Sequence, residues 1–227
     1  MVRRVMHATT RRFRILTTLA AVVTLVVAAA LLAAARSGDD SSGAAADSTA
    51  GGASVVRPDS HRLSTAPEGR VTLVEFLDFE CEACRAMFPV VEQLREEYRD
   101  RVTFVVRYFP IPSHFNAERA ARAVEAAASQ GRFEQMYQRM YETQSGWGEQ
   151  RVALDDVFRN FAADLGLDLA AYDAAYNDPA TAARVRADFE DGLALGVEGT
   201  PTFFVNNEKI TARGYRDLAT ALDSALA

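Results

Sequence analysis

The chain has 227 residues, two cysteines and a formal net charge of -6. That length suits one domain, or one domain with an insertion, and 49% hydrophobic with 25% charged residues excludes a wholly disordered chain. Two cysteines exclude a disulfide-rich scaffold and cannot complete a zinc site alone, while the acidic balance argues against nucleic acid as a partner.

The charge is unevenly spread. Residues 1–36 carry six arginines and no acid, which leaves 19 basic and 31 acidic residues to the remainder, a balance of -12. A basic head on an acidic body suggests a topogenic segment ahead of an exported domain. Ile15 to Ala35 holds no charged residue, and such a run, if helical, spans roughly 30 Å, one hydrocarbon core. Arginines before it and acids after it place residues 1–14 in the cytoplasm and the body outside. Ala33-Ala34-Ala35 offers a signal-peptidase-type cleavage pattern, but the apolar run is longer than the roughly 7–15 residues of a signal core. A retained anchor over 15–35 is therefore expected rather than a cleaved signal. No cysteine follows until Cys81, which excludes a lipid-modified cysteine at a mature N-terminus.

Residues 36–62 are read as a flexible linker. From Ser37 to Ser54 almost every residue is Gly, Ser, Ala, Asp or Thr, too little apolar surface to offset chain entropy. The folded domain is expected over 63–227.

Val71–Leu77 is a β-branched, apolar run that reads as a buried strand. Cys84, Met87, Phe88, Val91, Leu94 and Tyr98 then repeat at helical spacing, with Pro89 inside the helix predicting a kink. Val102–Phe109 is a second strand, stopped by Pro110 and Pro112. Five helices are expected next: Phe115 to Gln130; a stripe of Phe133, Met136, Tyr137, Met140 and Tyr141; a stripe from Leu154 to Leu165, closed by Gly166; a short helix capped by Asp168; and one opened by Asp178-Pro179. These stripes are read as core. Trp147 is read as a loop-packing residue and His114 as a capping or solvent-facing one. Thr202–Val205 and Lys209–Thr211 are strands around an Asn206-Asn207 turn, and Tyr215 to Leu226 is a closing helix. The order is βαβ, five helices, ββα.

Cys81-Glu82-Ala83-Cys84 sits where the first strand passes into a helix. Free N–H groups and the helix dipole there favour a thiolate at Cys81. Cys84, one turn in, is near enough to bond to it, so Cys81 is expected as the exposed nucleophile and Cys84 as the shielded resolving thiol. An inert disulfide over so short a loop would gain little, and a metal site lacks ligands. Gly199-Thr200-Pro201-Thr202, before the third strand, is the second signal, because a proline there is a candidate cis turn.

With these residues the chain resembles the thioredoxin superfamily, and within it the DsbA-like thiol–disulfide oxidoreductases. The resemblance rests on Val74 through Cys81, on Pro89 after Cys84, on the helical insertion at about 113–196, and on Gly196 through Val205. It implies a thioredoxin-type α/β fold. It also implies a cis peptide at Thr200-Pro201 that helps hold substrate, and a buried acid at Glu75 that assists proton transfer at Cys84. It implies disulfide formation in exported proteins, with their thiols as substrates, a quinone-linked membrane redox partner and no bound cofactor. The catalytic domain would lie outside the membrane of a bacterial cell. Reductase or isomerase activity on the same fold stays open, as does a binding or chaperone module with a structural disulfide. Asp78 is left open between a surface acid and a second acid of the site. This sequence departs from the family at Glu82-Ala83, where a histidine would stabilise the thiolate. Glu80 and Glu82 are expected to raise the Cys81 thiol and make a weaker oxidant than the strongest family members.

Overall fold

The computed structural model describes residues 53–67 and 69–227. The expected anchor at 15–35 lies outside the described residues. Among those described, no helix is long and apolar enough to cross a membrane.

Five strands form one mixed sheet: β1 His61–Ser64, β2 Val71–Leu77, β3 Val102–Tyr108, β4 Thr202–Val205 and β5 Glu208–Ile210, in the order β1-β3-β2-β4-β5. β2 lies at the centre, parallel to β3 and antiparallel to β4. A parallel pair needs a crossover, and α1 (Glu82–Glu97) supplies it. Pro89 lies inside α1 without ending it.

Period-two alternation decides what β2 shows to each side. Val74 and Phe76 face a smaller core with Val55, Val105, Phe109, Val197 and Phe204. Leu73 and Leu77 face the larger core, which also holds Cys81, Cys84, Tyr137 and Tyr141. Glu75 has the parity of Leu73 and Leu77, so the strand turns it toward the cysteine side.

The insertion between β3 and β4 contains the five expected helices: α2 Ala117–Ala128, α3 Phe133–Trp147, α4 Asp155–Asp164, α5 Leu169–Asn177 and α6 Pro179–Ala194; α7 Tyr215–Leu226 closes the chain. Their ends follow local chemistry. Asp168 accepts from the Ala171 N–H at 2.9 Å, and Asp178 accepts from the Ala180 N–H at 2.8 Å ahead of Pro179. Gly166, with φ +72°, leaves α4 through the left-handed region that glycine tolerates.

Two expectations are corrected. Trp147 is the last residue of α3 rather than a loop residue. It is buried edge-on against Phe158, with ring centroids 5.0 Å apart. Residues 53–62 were assigned to the linker, yet they belong to the folded body. Val55 is buried, and β1 pairs antiparallel with β3. The fastening lies far along the chain. Arg107, wholly buried, donates to the carbonyls of Ser54 (2.7 Å) and Val55 (2.9 Å) while its other nitrogens meet Asp188 (2.5 Å) and Asp191 (2.6 Å). The polar composition before Val55 hid this, because the partners are charged groups on β3 and α6.

Candidate active site

Cys81 is the N-cap of α1 and Cys84 lies in its first turn. Both are free thiols. Cys84 is fully buried. Cys81 is 7% exposed, so it is less open than expected and yet the more accessible of the two. Its sulfur donates to the carbonyl of Thr200 at 3.4 Å, and the Thr200–Pro201 peptide is cis. The structure thus brings the two sequence signals, Cys81 and Thr200-Pro201, into contact. A groove of about 320 Å³ borders the cis peptide, lined by Gly199, Thr200, Pro201, Thr202 and Lys209 among others.

The two thiols are driven apart in acidity. Cys81 is pushed down to about 6, first by the hydrogen bond from Cys84, against the opposing effect of burial, with further help from the Thr200 side chain and the backbone N–H groups of Cys84 and Ala83. Cys84 is pushed well up by burial, by its bond to the Cys81 sulfur and by the charge of Glu75. The expected rise at Cys81 from Glu80 and Glu82 does not occur. Glu82 points to solvent, where water screens it. Glu80 turns inward, 2% exposed, and accepts from the Asn116 N–H at 2.6 Å; burial holds it above the usual carboxylate range.

Glu75 is 4% exposed, in register with Val106 on one side and Phe203 on the other. Burial, and then the negative charges of Cys81 and Glu92, push it up to about 8. An acid of this kind is protonated near neutrality and can hand its proton to a departing thiolate.

Sequence reading missed the residues that shape the loop before Cys81. Asp78, buried, accepts from the N–H groups of Glu80 (2.8 Å) and Ile111 (2.9 Å) and pairs with His114 Nδ1 (2.7 Å). His114 is therefore neither a cap nor a free surface group. Gln144 donates to the carbonyls of Phe79 (2.7 Å) and Cys81 (2.9 Å), and Tyr141 to that of Asp78 (3.4 Å). Gln144 and Tyr141 belong to a helix whose apolar stripe said core, and only its packing on the site shows their polar ends at work. Among the described residues, no cluster of His, Cys, Asp or Glu could hold a metal ion.

Comparison with known proteins agrees with this arrangement. A family model described as thioredoxin matches residues 62–224. A thioredoxin-like oxidoreductase from Silicibacter pomeroyi DSS-3 superposes with a TM-score of 0.64 at 28% identity, over 74% of this chain and 93% of that one. Wolbachia pipientis alpha-DsbA1 shares the fold, with a TM-score of 0.64 at 18% identity over 74% and 92% of the two chains. Among curated sequences, the Na(+)/H(+) antiporter NhaA of Herminiimonas arsenicoxydans is 33% identical over 165 residues, 73% of this chain but 25% of that protein. The chain therefore spans about a quarter of the length of such relatives. The family model, the sheet and the helical insertion lead to one assignment: the chain belongs to the thioredoxin family.

Proposed function

We propose that the protein is an extracytoplasmic thiol–disulfide oxidoreductase that forms disulfides in exported proteins. The observation that carries this reading is the difference between the two cysteines: Cys81, the more accessible, caps the helix against the cis Thr200–Pro201 peptide and is pushed down to about 6, while Cys84 is fully buried and pushed well up. An inert structural pair has no use for that difference.

In the forward reaction, a substrate thiolate attacks Sγ of Cys81 in the Cys81–Cys84 disulfide. The new bond joins substrate sulfur to Cys81, and the electron pair of the broken bond leaves on Cys84. Glu75, protonated at neutral pH, supplies the proton that makes Cys84 a thiol. A second substrate thiolate then attacks the substrate sulfur of the mixed disulfide and expels Cys81 as a thiolate. Substrate loses two electrons and the cysteine pair gains them. Thr200, whose carbonyl meets the Cys81 sulfur, and Pro201 line the groove, where they would hold the substrate backbone. Continued turnover calls for an acceptor, for which a quinone-linked membrane protein is the proposed partner. The arginine-flanked apolar run at 15–35 supports a tether to a bacterial membrane, with the catalytic domain outside the cytoplasm.

The alternative on the same fold is a reductase or isomerase. It is favoured by a Cys81 thiol at about 6 rather than the roughly 3.5 of the most oxidising DsbA proteins, since a less stabilised thiolate makes a weaker oxidant. Trapping the cysteines in living cells with an alkylating reagent separates the two: mostly disulfide supports the oxidase, mostly dithiol the reductase or isomerase. Replacing Cys81 with Ser tests both against a binding module, which would keep its activity.

A further inference from the structure

No residue between the two cysteines can place a positive charge beside Cys81, because that dipeptide is Glu82-Ala83. A basic group from the loop after β3 is fastened instead to the turn that leads into Cys81. His114 Nδ1 lies 2.7 Å from Asp78 Oδ2, with the histidine side chain 30% exposed and the carboxyl wholly buried. The same carboxyl accepts from the Glu80 and Ile111 N–H groups, and the Asp78 carbonyl accepts from the Cys81 N–H at 3.2 Å. One residue thus fastens the histidine loop to the turn that presents Cys81. An acceptor on Nδ1 fixes the proton there and leaves Nε2 to take the second proton that makes the ring cationic.

The other charges around the ring come from four segments of the chain. Glu80, Glu149 and Arg151 line a cavity on one side, and Glu118, Arg119, Arg186 and Glu190 line a groove on the other. Arg119 is engaged with Asp155 at 3.2 Å. The carboxylates favour the imidazolium, and Asp78 is the one bonded to it. The ring is held above its ordinary value, first by the bond to Asp78 and further by the charges of Asp78, Cys81 and Glu80.

We propose that His114, clamped by Asp78, is the cationic partner of the Cys81 thiolate, supplying from outside the Cys-x-x-Cys motif the charge that the intervening dipeptide lacks. This rests on the thiol–disulfide exchange reading and names a residue that tunes its nucleophile without touching substrate. Interaction free energy is reciprocal, so a thiolate that raises His114 is itself lowered by His114 to the same extent. Cys84 and Thr200 remain the larger influences, so His114 adjusts the thiolate rather than creating it.

The test is ultraviolet titration of the thiolate in the reduced full chain, for the wild type, His114→Gln and His114→Lys, with NMR titration of the His114 ring in the dithiol and disulfide states. In His114→Gln the thiolate-to-thiol ratio of Cys81 at a given pH should fall about threefold to tenfold, a shift of roughly half a unit to one unit. His114→Lys should restore most of it. In the wild type, the ring should titrate higher in the dithiol protein than in the disulfide protein, a difference that a purely structural histidine would not show. The proposal is overturned if His114→Gln titrates like the wild type, if Lys behaves like Gln, or if the ring titrates identically in both redox states. Should His114→Gln fail to fold, the wild-type ring titration still decides. Neither readout needs turnover. A wild type that exchanges no disulfide with glutathione yet shows these shifts would refute the proposed function and leave the charge pairing standing.

Discussion

The Cys81 sulfur lies 3.4 Å from the Thr200 carbonyl oxygen, although 119 residues separate them in the chain. The contact exists because β4 pairs with β2 through Phe76 and Thr202, which sets the loop before β4 against the end of the strand that leads to the cysteines. The nucleophile and the groove proposed to hold its substrate are thus positioned by one sheet register.

Alkylation of the reduced protein should follow the acidity of Cys81. The rate with iodoacetamide should be half-maximal at a pH of about 6 and level off above it, with label on Cys81 and none on buried Cys84. A half-maximal rate near the ~8.5 of an ordinary thiol would contradict the site geometry. Mass spectrometry of the peptide carrying both cysteines assigns the label.

Glu75→Gln should slow resolution of the mixed disulfide and remove the pH dependence centred at about 8. It should also change stability with a definite sign. The folded-state value lies above the unfolded one, so the native protein holds the proton more tightly. Stability then declines as pH rises from the unfolded carboxylate range to about 8, and is constant beyond it. Relative to the wild type, the variant should gain a few kcal/mol by pH 9, and the gain should vanish below the unfolded carboxylate value of ~4.3. Urea unfolding of the reduced proteins across that range measures it. A pH-independent difference would argue against a buried, titrating Glu75.

Asp188→Ala should be severe. It removes the wholly buried one of Arg107's two carboxylate partners, at 2.5 Å, and leaves only the partly exposed Asp191 at 2.6 Å; breaking a buried pair by removing one partner costs about 3–5 kcal/mol. Asp188 also accepts from the Tyr108 N–H at 3.1 Å and pairs with Arg184 at 2.7 Å. The segment at Ser54 and Val55 should loosen with Arg107, so limited proteolysis there should quicken while the Cys81 titration holds.

Gly192→Ala should destabilise without touching the site. A Cβ at Gly192 would come within 2.7 Å of the Phe109 ring and 3.2 Å of the Phe76 ring. Both rings are buried in the smaller core, so one must move. The cost expected of such overpacking is about 1–3 kcal/mol, read as a lower urea midpoint with an unchanged alkylation profile.

Where the chain's message is local, the sequence carried it. Strand periodicity, Asp168 and Asp178 as caps, Gly166 as a helix exit, and cysteines at a strand-to-helix junction all act within a few residues of themselves. β1 was hidden because its four residues, His61–Ser64, gain a partner only when β3 exists. Trp147 was misplaced because the packing that keeps α3 helical to its end is with Phe158, a residue of the next helix.

The sequence by itself determined that this is an α/β chain with βαβ and ββα halves around five helices. It also determined that two cysteines at a helix start form the only thiol pair. Only the tertiary structure decided the electrostatics of that pair. Glu80 directly precedes Cys81 in the chain, yet it turns away into a bond with Asn116, while Asp78 draws His114 up to the turn ahead of Cys81. Charge interactions depend on distance and solvent exposure in space, and packing of the insertion sets both.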